Sequence, residues 1–339
     1  MSVSVDSRPG LRAARLAHLA EQACRRVDLD LSGVSVLTEA ATGTYVVTPV
    51  IAALAGARVT ALTRASRYGS VDEVREQTLA LAAALGVADR ITITADRRPE
   101  LFAAADVVTN SGHLRPIVDD YARAIRPDAV MPLMFEAWEI QAGRVDIDLD
   151  LLRARGVALG GTNERHPHVD VFSFLGPMAV AQLADAGVSA YRGRIGLLCD
   201  NPFLPFLRAG LTAAGAEVSI APRVAELPDE PLDALIVART PTGASVFDDA
   251  DLAQIARRWP QTTVLQYWGD IDRAASDRHG VSYFPAEDPG SGHMGVLPSR
   301  VGPEPIVRLQ AGGLKVAQVL LVPADQRTEA DRAYLDPID

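Results

Sequence analysis

The chain has 339 residues, 48% of them hydrophobic and 22% charged, with a formal net charge of −10 at pH 7. That length exceeds what one hydrophobic core usually spans, so two domains sharing a cleft are expected. The acidic balance opposes nucleic acid, whose binding draws on basic surface that releases phosphate counterions, and no apolar run reaches membrane-spanning length.

Residues 11–26 (LRAARLAHLAEQACRR) carry apolar positions at helical spacing and predict an amphipathic leading helix. Strand-like runs follow at 34–38, 58–62, 91–94, 105–109, 129–133 and 157–160, interleaved with helical stretches near 44–55, 71–85, 114–125 and 148–155. The apolar segment 171–186 predicts a connecting helix. Alternation then restarts, with strands at 194–198, 217–221, 233–238, 262–266 and 281–284 and helices at 203–214, 248–258 and 270–277. A last helix at 304–321 precedes a polar tail. Strands alternating with helices predict an α/β protein of two doubly wound, Rossmann-like or flavodoxin-like domains with an interdomain cleft. The expected boundaries are 1–168 for an N-terminal substrate-type domain, 169–190 for the connecting helix, 191–303 for a Rossmann-like domain and 304–339 for the last helix and tail.

Cys24 and Cys199 are too few for a disulfide framework and lack the spacing of a zinc site. With no basic, apolar leader at the start, a cytoplasmic protein that meets no membrane is expected. Lys315 is the single lysine and falls in the expected last helix, which sets aside P-loop and Schiff-base chemistry.

From about residue 105 to 321, ADVVTNSG, AGRVDIDLDLLRARGVALGGTN, RGRIGLLCDNPFLPFLRAGLTAAGAEVSI and LDALIVARTPTGASVFDDADLAQIARRWPQTTVLQYWGDID follow one another. Their order resembles the D-isomer-specific 2-hydroxyacid dehydrogenases, in which a flavodoxin-like substrate domain leads into a Rossmann domain and the last helix returns to the first. The resemblance implies NAD or NADP as cofactor, a small polar metabolite as substrate and a homodimer. It places nucleotide contacts on Asp200, Asn201, Arg223, Thr240, Pro241 and Trp268, and proton transfer on His293, oriented by Glu287 or Asp288. The sequence departs from the family at two points. LLCDNPF carries no glycine where a glycine-rich turn should approach a pyrophosphate, and Trp268 stands where an arginine should grip the substrate carboxylate.

VSVLTEAATGTYVVTPVIAALAGARVTALTR reads as strand, turn, helix and strand, and its turn aligns Thr38, Ala40 and Gly43 with the dinucleotide fingerprint. This stretch also resembles methyltransferase Rossmann cores, with Thr63-Arg64 where an acidic residue would hold the ribose. Other polar clusters are expected at strand ends, where open α/β sheets bind ligands. Glu136 and Glu139 in FEAWE could act as acid and base, with Asn110, Ser111 and His113 of TNSGH ending a neighbouring strand. Asn163, Glu164, Arg165, His166 and His168 of TNERHPHVD could face substrate, or Asn163 or Asp170 could simply cap a helix on a solvated surface, and the histidine spacing does not suggest a metal site. Glu39, Tyr45, Arg64, Arg67 and Tyr68 could form a further polar pocket, in which RASRYGS cradles a phosphate or carboxylate.

Two functions are carried by these residues. One is an NAD(P)-dependent oxidoreductase, or a close derivative, acting on a small polar metabolite. The other is a non-redox lyase, isomerase or transferase, or a small-molecule binding protein, on a dehydrogenase-like scaffold that has lost nucleotide binding.

Overall fold

The fold is described from a computed structural model that covers residues 8–134, 140 and 146–338. The chain divides into two compact units, Met1–Val171 with Gly302–Asp339, and Phe172–Val301. Both are α/β units built on parallel sheets with flanking helices.

The first unit contains β1 (Ser35–Glu39), β2 (Arg58–Leu62), β3 (Ile91–Thr94), β4 (Val107–Val108), β5 (Val130–Leu133) and β6 (Ala158–Thr162). They lie parallel in the order 3-2-1-4-5-6, and a last strand, Leu335–Asp336, runs antiparallel along the outer edge of β6. Helices cover both faces, so the strands are apolar on both sides. The period of two sends Val36, Val59, Val107 and Val130 into one core cluster and Leu37, Leu62, Val108 and Met131 into the other. The helix Glu304–Leu321 is buried along nearly its whole length in the first of these clusters, with Val307, Leu314 and Val316 among its contributions.

The second unit contains β7 (Arg194–Cys199), β8 (Glu217–Ala221), β9 (Ala234–Ala238), β10 (Thr263–Trp268) and β11 (Ser282–Phe284), all parallel, in the spatial order β11-β10-β9-β7-β8. Counted within the unit, this is the order 2-1-3-4-5. Two of its helices, Leu175–Asp185 and Leu204–Ala213, meet backbone to backbone at Gly176 and Gly210. A Cβ at Gly210 would lie 2.4 Å from the Cα of Gly176, so only glycine permits this approach.

The strand orders reverse one expectation. The family resemblance puts a flavodoxin-like order first and a Rossmann order second, whereas the 3-2-1-4-5-6 order belongs to the first unit and 2-1-3-4-5 to the second. Smaller differences are local. The helix expected over 114–125 is confined to Asp119–Ala124, because Pro116 cannot enter a helix interior. The connecting helix is also shorter, Leu175–Asp185, and belongs to the second unit. The helix Pro99–Ala103 and the edge strand in the tail were not expected, being too short to show a period.

Candidate functional site

In an open doubly wound sheet the crevice lies beyond the carboxyl ends of the strands, where the direction of winding reverses. For the first unit that point falls between β1 and β4, which are direct neighbours. The chain beyond β1 reads Ala40-Ala41-Thr42-Gly43-Thr44-Tyr45 and enters the helix Val47–Leu54 through a 3-10 turn at Gly43–Val46. Gly43 has φ +66° and open space where a Cβ would project, so the backbone there can take a ligand closely. Among the described residues, the N–H groups of Ala41, Thr42, Gly43 and Thr44 donate to no carbonyl or side chain.

The loop after β4 faces this turn. Glu39, 8% exposed at the end of β1, accepts a hydrogen bond on its carboxylate from the backbone N–H of His113 at 3.0 Å. Desolvation raises the Glu39 pKa, against the opposing pull of the His113 and Gly112 N–H groups and of the Arg115 and Arg64 charges. Beneath it the hydroxyls of Thr38, Thr109 and Ser111 form a closed set: Thr109 donates to Thr38 at 2.9 Å, and Ser111 lies 2.8 Å from Thr109 and 3.3 Å from Thr38. Asn110 turns its carbonyl oxygen to the N–H of Met134 beyond β5, at 3.0 Å, and so ties the β4 and β5 ends together. His113 is half-buried and its Nδ1 has no partner among the described residues. Desolvation, then the Arg64 charge, lower its pKa and keep the ring neutral at pH 7. Tyr45, 38% exposed, stands on the rim with its phenol pushed up to about 12 by desolvation and by Glu39 and Tyr68.

The loop after β2 completes the surface. Thr42 donates its hydroxyl to the Tyr68 carbonyl at 3.0 Å, which joins the β1 and β2 turns. The β2 loop closes tightly on itself, with Ser66 and Gly69 exchanging backbone hydrogen bonds of 3.0 and 3.3 Å.

The corresponding point in the second unit, between β7 and β9, is filled by the protein itself. The Asp200 carboxylate accepts from the Thr240 N–H at 2.9 Å, the Thr240 hydroxyl at 3.2 Å and Arg239 Nε at 3.1 Å. Burial alone would raise the Asp200 pKa, but these donors outweigh it and hold the carboxyl below its usual range. Asn201 donates to the Ala238 carbonyl at 2.7 Å and accepts from the Phe203 N–H at 3.0 Å. Asp200, which the resemblance places at the nucleotide, thus meets three donors of its own chain. Trp268 packs on Phe203 at 5.3 Å and donates its indole N–H to the Gly292 carbonyl at 3.1 Å.

The remaining expected residues fall elsewhere. Arg223 is exposed and pairs with Glu226 one helical turn away at 2.6 Å, and Pro241 simply follows Thr240 in the same loop. His293 is exposed and contacts the Ser291 carbonyl at 3.0 Å; the expected acid beside it is absent among the described residues, since Asp288 instead faces Arg273 at 3.5 Å and the Gly290 N–H at 2.8 Å, and Glu287 bonds only through its carbonyl. The TNERHPHVD cluster fastens the tail: Asn163 donates to the Ala333 carbonyl at 2.9 Å, His166 stacks on Tyr334 at 3.9 Å, and His168 Nδ1 lies 2.9 Å from the Tyr334 hydroxyl. Glu164, in the same cluster, is buried and accepts the Val171 N–H on its carbonyl. Glu136 and Glu139 lie outside the described residues. Thr109 is not singled out by the sequence, and Thr38 and Thr63 enter there only as departures from the nucleotide-binding patterns; the mark the three share is a hydroxyl side chain near the end of a strand or just beyond it. Among the described residues, no group of three His, Cys, Asp or Glu could hold a metal, and no helix is long and apolar enough to cross a membrane.

No family model matches the chain, and no curated protein matches it. Solved structures do. Dipicolinate synthase A from Bacillus halodurans superposes with a TM-score of 0.54 at 12% identity, over 86% of this chain and 99% of that one. Its counterpart from Bacillus subtilis gives 0.52 at 11% identity, over 86% and 97%. An NAD+-bound 3-phosphoglycerate dehydrogenase from Entamoeba histolytica gives 0.45 at 9% identity, over 85% and 95%. At these identities the likeness shows the fold alone, an α/β architecture shared with dipicolinate synthase A over most of both chains.

Proposed function

We propose that the protein is a nicotinamide-nucleotide-dependent oxidoreductase of a small polar metabolite, and that the first unit, not the second, holds the nucleotide. The observation that carries this reading is the β1/β4 crevice. It combines the 3-2-1-4-5-6 order with a turn whose successive N–H groups, Ala41 to Thr44, have no acceptor among the described residues. Such a run of amides in front of a helix suits phosphate. The matching point of the second unit is filled by Asp200.

The residues present fit the group. Two buried polar atoms beside the crevice lack partners among the described residues, Thr63 Oγ1 and His113 Nδ1, and Gly43 leaves room for close approach. A bound nicotinamide would supply hydride transfer. The chain supplies the rest: the Ala41–Thr44 amides bind phosphate, and the raised Glu39 pKa reduces negative charge beside it. His113, its pKa lowered, is the neutral candidate acceptor of a proton beside Glu39, and Tyr45, its pKa raised, stays protonated as a donor at the rim.

The test is fluorescence titration with NADH and NADPH of the wild type, of Ala41→Asp and of Asn201→Ala. Ala41 is half-exposed, so an added carboxylate there leaves the core intact while opposing a pyrophosphate. Ala41→Asp should weaken nucleotide binding by at least about tenfold, the equivalent of one nearby like charge in a partly wetted site. Asn201→Ala should leave it unchanged. The reverse pattern would return the nucleotide to the second unit. Failure of both nucleotides to bind the wild type would favour the non-redox reading, with Glu39 and His113 as acid and base.

A further inference from the structure

Resting on that reading, we infer that the nucleotide is 2′-phosphorylated, NADP(H) in preference to NAD(H), and that Arg64 is its principal reader, with Arg67 in support.

In a 3-2-1-4-5-6 sheet the adenosine ribose lies by the end of β2, where an acidic side chain takes the 2′-hydroxyl of NAD and an arginine accommodates the 2′-phosphate of NADP. Here β2 ends at Leu62 and is followed by Thr63-Arg64-Ala65-Ser66-Arg67, which offers two cations and no acid. A carboxylate at that position would hold two hydroxyls; a guanidinium presents only donors, and a dianionic phosphate is the ligand that satisfies them.

Further observations put these groups on one surface with the phosphate-binding turn. Arg64 is exposed and has neither a hydrogen bond nor an ion pair among the described residues. Glu39 is the register partner of Leu62, so Arg64, two residues beyond Leu62, leaves β2 at the carboxyl edge of the sheet where Glu39 ends β1, and its charge is among those that act on Glu39 and His113. Arg67 is pre-positioned: it donates to the Tyr68 hydroxyl at 2.6 Å and its guanidinium carbon lies 4.8 Å from that ring. The Thr42 to Tyr68 hydrogen bond then locks this loop to the turn that carries the Ala41–Thr44 amides.

The experiment is a titration of the full chain, at one fixed moderate salt concentration, with NADPH, NADH, 2′,5′-ADP and 5′-ADP. The wild type should bind NADPH about 10- to 100-fold more tightly than NADH, the range of one or two charge-assisted hydrogen bonds, and 2′,5′-ADP more tightly than 5′-ADP. Arg64→Ala should remove most of the preference while leaving NADH binding within about twofold, because NADH has no group for it to hold. Arg67→Ala should remove a smaller part. Circular dichroism of the variants should match the wild type, since both side chains are exposed. Equal binding of NADPH and NADH by the wild type overturns the inference and leaves nucleotide binding standing. An Arg64→Ala chain that loses both nucleotides equally overturns it as well, since Arg64 would then serve the shared pyrophosphate. Binding of neither nucleotide overturns this inference together with the reading it rests on.

Discussion

Removing the Asp200 carboxylate tests whether the second unit carries its own anion at its switch point. In Asp200→Ala, the Thr240 N–H, the Thr240 hydroxyl, Arg239 Nε and Asn201 Nδ2, now 2.9, 3.2, 3.1 and 3.3 Å from the carboxylate, all lose an acceptor. The Arg239 and Asp200 side chains are 34% and 35% exposed, so solvent screens the ion pair to about 0.2–1 kcal/mol. The Thr240 N–H adds about 1 kcal/mol, because water can replace part of what it loses. The sum, about 1–2 kcal/mol, corresponds to a fall of roughly 3–6 °C in the unfolding midpoint. The pH dependence has a definite sign. A carboxyl whose folded pKa is depressed stabilises fully above its unfolded value, about 3.9, and loses that contribution as pH falls through the lower folded value. Thermal unfolding of wild type, Asp200→Asn and Asp200→Ala, followed by circular dichroism from pH 7 to 3, should therefore show a gap that is constant near neutrality and closes below about pH 4. Inorganic phosphate should raise the midpoint of Asp200→Ala more than that of the wild type, since it can enter between Thr240 and Arg239. A gap unchanged down to pH 3, or no gap at pH 7, would refute the assignment.

Two other expectations concern the fold around the sites. Glu39 has a raised folded pKa, so wild-type stability should decline as pH rises from its unfolded value, about 4.3, through the higher folded one; Glu39→Gln lacks this decline, and its midpoint should gain on the wild type as pH rises above about 4.3. A pH-independent difference would mean that Glu39 is not desolvated. Gly210→Ala places a methyl 2.4 Å from the Gly176 Cα, forces the two helices apart, and should cost about 1–3 kcal/mol or more in urea unfolding; a wild-type midpoint would show that the helices do not touch there.

Nearly all strands were legible from the sequence because each is a short apolar run bounded by Gly, Pro, Asn or Asp, as in 194–198 and 233–238. Their spatial order was not. Whether Val36 pairs with Val107 or with a residue of β3 is decided by packing between positions 71 apart in the chain, and no local pattern records it. The site residues were legible as polar groups at strand ends, as with Asn110, Ser111, His113 and Glu39, but which loops face one another was not. Glu39 meets the His113 backbone only because β1 and β4 are neighbours. The TNERHPHVD cluster shows the same limit: its histidines meet Tyr334, 166 residues beyond His168 in the chain, a contact no local pattern records.

The first unit is made from both ends of the chain, and this has consequences for how the protein comes off the ribosome. The second unit, Phe172–Val301, is continuous and complete before the helix Glu304–Leu321 is synthesised, whereas the first unit lacks that helix until then. During that interval Val50, Ile51 and Val130, which share a core cluster with Val307 and Leu314, have no cover from it. A nascent chain stalled near residue 301 would therefore present a finished second unit and a sticky, half-closed first one, a natural target for chaperones. For the same reason the last forty or so residues are a poor place to trim: deleting everything after 301 would not shorten a tail but take away core that the amino-terminal half packs against.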